Sequence, residues 1–172
     1  MTTTPNTLTI EALTAEAFRP FGDVIEASDA AHHFTINQGF AERYHDLAQV
    51  DTAEGGHTVV SLFKALPRRF PLAITVMERH LLGSQAFVAL APVPFLVVVA
   101  PPGDAPGPQG IRCFLAGPGQ GVNYARGTWH HPLIALDAPG DFLVIDRAGP
   151  ACEVDCEEVA LAHGALWLVR GR

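Results

Sequence analysis

Apolar and polar residues alternate in short runs along most of this chain, and glycine or proline closes nearly every run. Leu8 to Leu13 alternates and predicts a first strand. Thr14 to Phe18 reads as a short helix capped by Thr14 and stopped by Pro20. Asp23 to Glu26 reads as a short strand, and Thr35 to Gly39 as a strand that ends in a glycine turn. Thr58 to Leu66 and Leu72 to His80 read as longer strands. In the second of these, Ile74, Val76, Glu78 and His80 share one face, while Thr75, Met77 and Arg79 share the other. A turn at Leu81 to Ser84 and a strand at Gln85 to Leu90 complete a hairpin. Phe95 to Ala100 is continuously apolar, the pattern of a strand covered on both faces. Ile111 to Ala116, Asp141 to Asp146 and Leu166 to Val169 add further apolar pieces. With roughly ten short strands, one short helix and turns about every 8–12 residues, the pattern predicts an all-β sandwich or closed barrel.

Composition narrows the setting. At 172 residues the chain predicts one domain, spanning 1–172. It is 48% apolar and 17% charged, which argues for a packed core and against disorder. The formal net charge is −7 and no basic patch stands out, which excludes nucleic acid as the expected partner. A small anionic substrate needs local donors that work against that field. Phe95 to Ala100, the longest apolar run, is too short to span a bilayer, so no membrane partner is expected. The N-terminal residues show no basic region followed by an apolar run, and the expectation is a cytoplasmic protein. Cys113, Cys152 and Cys156 match no zinc ribbon or disulfide framework. Cys113 reads as buried and apolar. The acids around Cys152 and Cys156 raise a thiol pKa and argue against a nucleophile.

The chemistry gathers in Gly119 to His131, which reads GQGVNYARGTWHH. Val122 and Tyr124 suit a strand that enters a bend at Ala125-Arg126-Gly127, and Thr128 to His130 suits the strand that leaves it. His130 and His131 then point to opposite faces, so one at most looks into a cleft. The spacing from Gly119 to His130 resembles the second motif of a cupin barrel, with Ala125 in place of the usual proline. Glu78, His80 and Gln85 follow the spacing of the first motif, with Glu for His and Gln for Glu. The pairing selects His130 as the inward histidine and sends His131 and Trp129 to the other face. Glu78, His80, Gln85 and His130 could then converge on a divalent metal, since imidazole and oxygen donors suit nickel, manganese, iron or zinc. Without a metal, Glu78 and His80 still form an acid–base pair. A carboxylate on an otherwise apolar face is costly unless it is paired or functional, which favours a site role for Glu78. His32 and His33 read as exposed loop. Arg43, Tyr44, His45 and Asp46 form a dense polar cluster whose ordinary reading is a solvated face.

Most of the chain resembles ureidoglycolate lyases of allantoin degradation. Met77 to Phe87 (MERHLLGSQAF), Gln120 to Tyr124, Gly127 to Pro132 (GTWHHP) and Asp141 to Arg147 carry the resemblance. Ala17 to Ile25, Ile36-Asn37 and Tyr44 to Ala48 fit it too. The resemblance implies a cupin-like double-stranded β-barrel, cleavage of (S)-ureidoglycolate to glyoxylate and urea, a homodimer, and nickel or a similar divalent metal as cofactor. Such a cleavage needs a base for the hydroxyl proton and an acid for the leaving nitrogen. Glu78, His80 and His130 are the candidates for that work. Lys64, Arg43 or Asn37 would hold the substrate carboxylate, with Gln85 as a further substrate-binding candidate, although a solvent-exposed charge is the ordinary reading of Lys64 and Arg43. Two other readings remain open: a metal-dependent cupin acting on another small hydroxy or keto acid, and a non-catalytic cupin that binds a small ligand.

Overall fold

Phe95 to Ala100 becomes the strand around which the molecule is layered: every one of its six residues is buried. Phe95, Val97 and Val99 enter one apolar core, and Leu96, Val98 and Ala100 enter another. A strand with two covered faces has no room for polar residues, which is why its sequence shows no alternation. The structure is a computed structural model, and it describes residues 6–151, 155–162 and 166–169.

The elements run in chain order as β1 (Ile10–Ala12), the helix α1 (Ala15–Phe18), β2 (Gly22–Ile25), β3 (His33–Ile36), β4 (Ala41–Tyr44) and β5 (His57–Ala65). They continue as β6 (Leu72–Ala73), β7 (Val76–His80), β8 (Gln85–Ala89), β9 (Phe95–Ala100), β10 (Arg112–Ala116) and β11 (Gly121–Tyr124). The last are β12 (Trp129–His130), β13 (Ile134–Ala135), β14 (Gly140–Ala148), β15 (Cys156–Ala160) and β16 (Trp167–Leu168). One sheet follows the order β1-β10-β9-β12-β7-β15, with β13 also paired to β9. A second follows β2-β11-β8-β14-β5. From β7 onward the chain passes back and forth between the two sheets, the winding of a cupin-like jelly-roll barrel.

The first core fills the space between the two sheets. It holds Phe87, Phe95, Phe114, Tyr124 and Phe142, with Phe18 and Phe21 contributed by α1 and the turn after it. The Thr14 hydroxyl accepts from the amide of Ala17 and sets the start of that helix, as the sequence predicts. The second core covers the far face of the larger sheet with Leu8, Ile74, Met77, Trp129, Leu166 and Leu168. Among the described residues, no helix is long and apolar enough to cross a membrane.

Three expectations change. Leu72 to His80 is two strands rather than one. Leu72 and Ala73 pair with β16, and only Val76 to His80 joins the larger sheet. Ile74 therefore packs with Met77 in the second core and does not share a face with Glu78. Nor do β7 and β8 form a hairpin. The turn at Leu81 to Ser84 carries the chain from one sheet to the other, and the bend at Ala125 to Gly127 does the same for β11 and β12. Gly127 sits there at φ 81°, a backbone region that glycine enters at no steric cost. The acidic stretch near the C-terminus also yields a strand. β15 pairs with β7 through residues that show no apolar alternation, while Cys152 lies outside the described residues.

Candidate active site

The candidate residues meet where β7 and β12 run side by side. His130 lies directly opposite Glu78, and Glu78 lies directly opposite Glu158 of β15. His130 also faces Val99, so Val99, His130, Glu78 and Glu158 form one row across four adjacent strands. Residues two apart share a face, which brings His80 to the same side as Glu78 and opposite Cys156. The opposing sheet supplies the other wall. There Gln85 pairs with Tyr124 across β8 and β11, and Phe87 follows Gln85 on the same face.

Glu78, His80 and His130 each offer a ligand atom, and those atoms lie within 4.8 Å of one another. His130 Nε2 stands 3.5 Å from Glu78 Oε1. His130 is 1% exposed and stacks on Tyr124, with ring centroids 4.2 Å apart and planes inclined at 15°. Its Nδ1 lies 3.0 Å from the Thr128 carbonyl. A carbonyl only accepts, so Nδ1 donates that bond and Nε2 is left facing Glu78 and the centre. Thr128 is fixed in turn, because its hydroxyl donates to the Phe21 carbonyl at 2.9 Å.

Burial and charge set the protonation. Burial pushes the Glu78 carboxyl up, but the neighbouring imidazoles, His130 first, bring it below its ordinary value. Burial and the neighbouring His130 hold His80 below the ordinary imidazole range, with Asp155, Glu78 and Asp146 opposing them. Burial likewise lowers His131, although its Nδ1 donates to the Pro132 carbonyl at 2.7 Å. Burial drives the Tyr124 hydroxyl upward. Glu78 is thus a carboxylate beside a neutral His80 at neutral pH.

A cavity of about 560 Å³ opens onto this centre. Glu78, His80, Pro132 and Leu133 line one side, and Gln85, Phe87, Phe63 and Lys64 line the other. His80 Nε2, His130 Nε2 and Gln85 Oε1 are shut off from water and make no hydrogen bond among the described residues. Two imidazole Nε2 atoms beside a carboxylate are a donor set that fits a divalent cation.

The model of the ureidoglycolate lyase family matches residues 5–168. The chain belongs to the ureidoglycolate lyase family. It is 56% identical over 156 residues to the ureidoglycolate lyase of Burkholderia cepacia, covering 90% of this chain and 86% of that one. It is 55% identical over 163 residues to that of Burkholderia mallei (strain NCTC 10229), covering 94% and 93%. The protein of the same name from Azotobacter vinelandii (strain DJ / ATCC BAA-1303) is 54% identical over 149 residues, covering 85% of this chain and 89% of its own. A dTDP sugar isomerase from Desulfovibrio desulfuricans G20 shares 17% identity over 81% of this chain and 85% of its own, with a TM-score of 0.46, a likeness too distant to carry weight.

Of the residues the sequence singles out, the structure gathers Glu78, His80, Gln85 and His130, with Lys64 at the cavity wall. The Lys64 side chain is 82% exposed and lies 3.3 Å from Asp141. Asn37 and Arg43 belong to the β3–β4 hairpin and do not line this cavity. Asn37 sits at the hairpin tip with φ 52°, and Arg43 is exposed, with its guanidinium over the Phe34 ring. His33, also exposed, pairs with Glu42 on the same hairpin. His131 is buried, at 5% exposed. Trp129 packs in that core, as expected, with Arg79 stacked 4.3 Å over its ring. Cys113 is buried, and burial pushes its thiol up to about 12. Cys156 is raised as well, by burial first and then by Glu78, Glu158 and Asp155. Sequence reasoning missed the contact of Tyr124 with His130, and it missed Cys156 and Glu158 beside Glu78. Tyr124 carried a usable signal: it alternates with Val122 onto the inner face. Cys156 and Glu158 lie in an acidic stretch that shows no apolar period.

Proposed function

We propose that this chain cleaves (S)-ureidoglycolate to glyoxylate and urea at the Glu78–His80–His130 centre. The observation that carries the reading is the centre itself, in which a carboxylate and the Nε2 atoms of two imidazoles converge at one end of a cavity large enough for a three-carbon acid. In this chemistry the substrate hydroxyl loses its proton as the aldehyde carbonyl forms. The carbon–nitrogen bond then breaks, and the urea nitrogen takes up a proton. Glu78 and His80 both lean toward their deprotonated forms. A single base therefore suffices, taking the hydroxyl proton and passing it to the leaving nitrogen. We assign that role to Glu78, whose carboxylate is the anionic member of the centre. His80 and His130 orient the substrate oxygens, and Lys64 at the wall draws the carboxylate. Glu78, His80 and His130 would hold a divalent ion such as nickel, which when bound supplies a Lewis acid for those oxygens.

We further infer a homodimer that works in the cytoplasm. The dimer is supported by the exposed apolar side chains of the edge strand β5 and the residue after it, Val60, Leu62 and Leu66. The location is supported by Cys113 and Cys156, which carry no disulfide. Light scattering of the purified chain reads the assembly directly, and a monomer at all concentrations removes that inference. The activity is tested by supplying (S)-ureidoglycolate and measuring glyoxylate, urea and ammonia together. Equal glyoxylate and urea without ammonia is the expected result. Ammonia in place of urea would identify an amidohydrolase, and glyoxylate at only the uncatalysed rate would leave a ligand-binding cupin.

A further inference from the structure

Gln85 is the first residue of β8, on the wall that faces the Glu78–His80–His130 centre, and it is 7% exposed. Its Oε1 is closed to water and accepts no hydrogen bond among the described residues. Burying an acceptor without a donor works against folding. Phe87, on the same face of the same strand, shows that this wall readily takes an apolar side chain. An amide that does nothing for the fold is therefore placed to do something for a ligand.

Its chemistry limits what that ligand group is. A carboxamide presents one acceptor and two donors in a plane, whichever way the oxygen and nitrogen are assigned. A carboxylate only accepts, so it can pair with the amide's donors but never with its oxygen. A ureido group offers N–H donors and a carbonyl acceptor side by side, the complement of the amide. We infer that Gln85 reads the ureido group of the substrate through paired hydrogen bonds and that it is a specificity residue rather than a metal ligand. This rests on the ureidoglycolate reading above. The substrate then spans the cleft, with its hydroxyl toward Glu78, its ureido end on Gln85 and its carboxylate toward Lys64, which lines the same cavity.

Two unreactive probes separate the possibilities. Ureidoacetate lacks the hydroxyl and cannot release an aldehyde. N-Acetylglycine carries a methyl in place of the terminal amino group. Calorimetry on the wild-type protein should show ureidoacetate binding roughly 10- to 100-fold more tightly, because the methyl leaves buried groups unpaired. Gln85→Leu should bring that ratio to within about threefold, mainly by weakening ureidoacetate. Gln85→Met gives the same comparison if the leucine variant fails to fold. Divalent-ion content, measured by elemental analysis, should match wild type in either variant. A ratio that survives the substitution overturns the inference, and so does a loss of bound ion with the ratio intact. The reaction is judged separately. Wild-type protein that discriminates between the probes but releases no glyoxylate would sink the lyase reading and keep the role of Gln85. Glyoxylate release together with an undiminished ratio in Gln85→Leu would do the reverse.

Discussion

Replacing Tyr124 by leucine tests whether the barrel core holds the site in place. The Tyr124 ring stacks on His130 at 4.2 Å and 15°, and it also packs against Phe18 at 6.3 Å and Phe87 at 5.9 Å. An aromatic pair of this kind contributes about 0.5–1.5 kcal/mol beyond the area it buries. Leucine keeps part of the apolar bulk and leaves a partial cavity, so the total loss should be about 2 kcal/mol, short of the roughly 3–5 kcal/mol of a truncation to alanine. For a chain of this length each kcal/mol moves the melting temperature by about 2–4 °C, which gives a drop of about 4–8 °C. Tyr124→Phe keeps the stack. It removes only the hydroxyl, so it should stay within about 1 kcal/mol of wild type. Thermal melts followed by circular dichroism measure the stability, and glyoxylate release measures the effect on His130. The leucine variant should lose turnover beyond its loss of folded protein, and the phenylalanine variant should not. Equal melting of Tyr124→Leu and wild type would refute the reasoning, as would a phenylalanine variant as impaired as the leucine one.

Three further outcomes are expected. His80 and His131 both have imidazole pKa values lowered by folding, so the unfolded chain takes up protons more readily. Stability should be fullest above about pH 6.5 and fall on acidification, and a melting temperature that holds or rises between pH 7.5 and pH 5.5 contradicts this. Arg79 stacks on Trp129, donates to Glu157 at 2.6 Å and is 18% exposed, so Arg79→Ala should cost about 1–2 kcal/mol in urea denaturation; no shift in the midpoint would show that the cluster is idle. Lys64→Ala should raise KM by roughly 3- to 10-fold and leave kcat nearly unchanged, because an exposed charge draws the substrate without entering the chemistry. A fall in kcat alone would move Lys64 into the reaction.

Much of the barrel is legible in the sequence because short-range chemistry decides it. Thr14 caps its helix, and Phe95 to Ala100 is apolar on both faces because both faces are covered. Glu78 and His80 share a face by period alone, and Gly127 turns the chain into His130. The pairing of strands is not local, and there the reading fails. A turn at Gly83 looks the same whether it closes a hairpin or carries the chain to the opposite sheet. Ile74 fits the alternation of Glu78 until a break between two strands moves it to the second core. β15 is an edge strand whose exposed Glu157 and Glu158 give no apolar signal, so its contribution beside Glu78 emerges only from the register. His131, assigned to an outward face, is only 5% exposed, a burial that periodicity along one strand cannot reveal.

The central claim is that cleavage occurs at the Glu78–His80–His130 centre. Its most direct test is the turnover of ureidoglycolate by His130→Ala, with the melting temperature and secondary structure of the same sample recorded alongside. A folded protein is expected whose glyoxylate release falls by at least about 100-fold, because the imidazole that faces Glu78 at 3.5 Å is removed. A folded His130→Ala protein with wild-type turnover would contradict it and place the chemistry elsewhere.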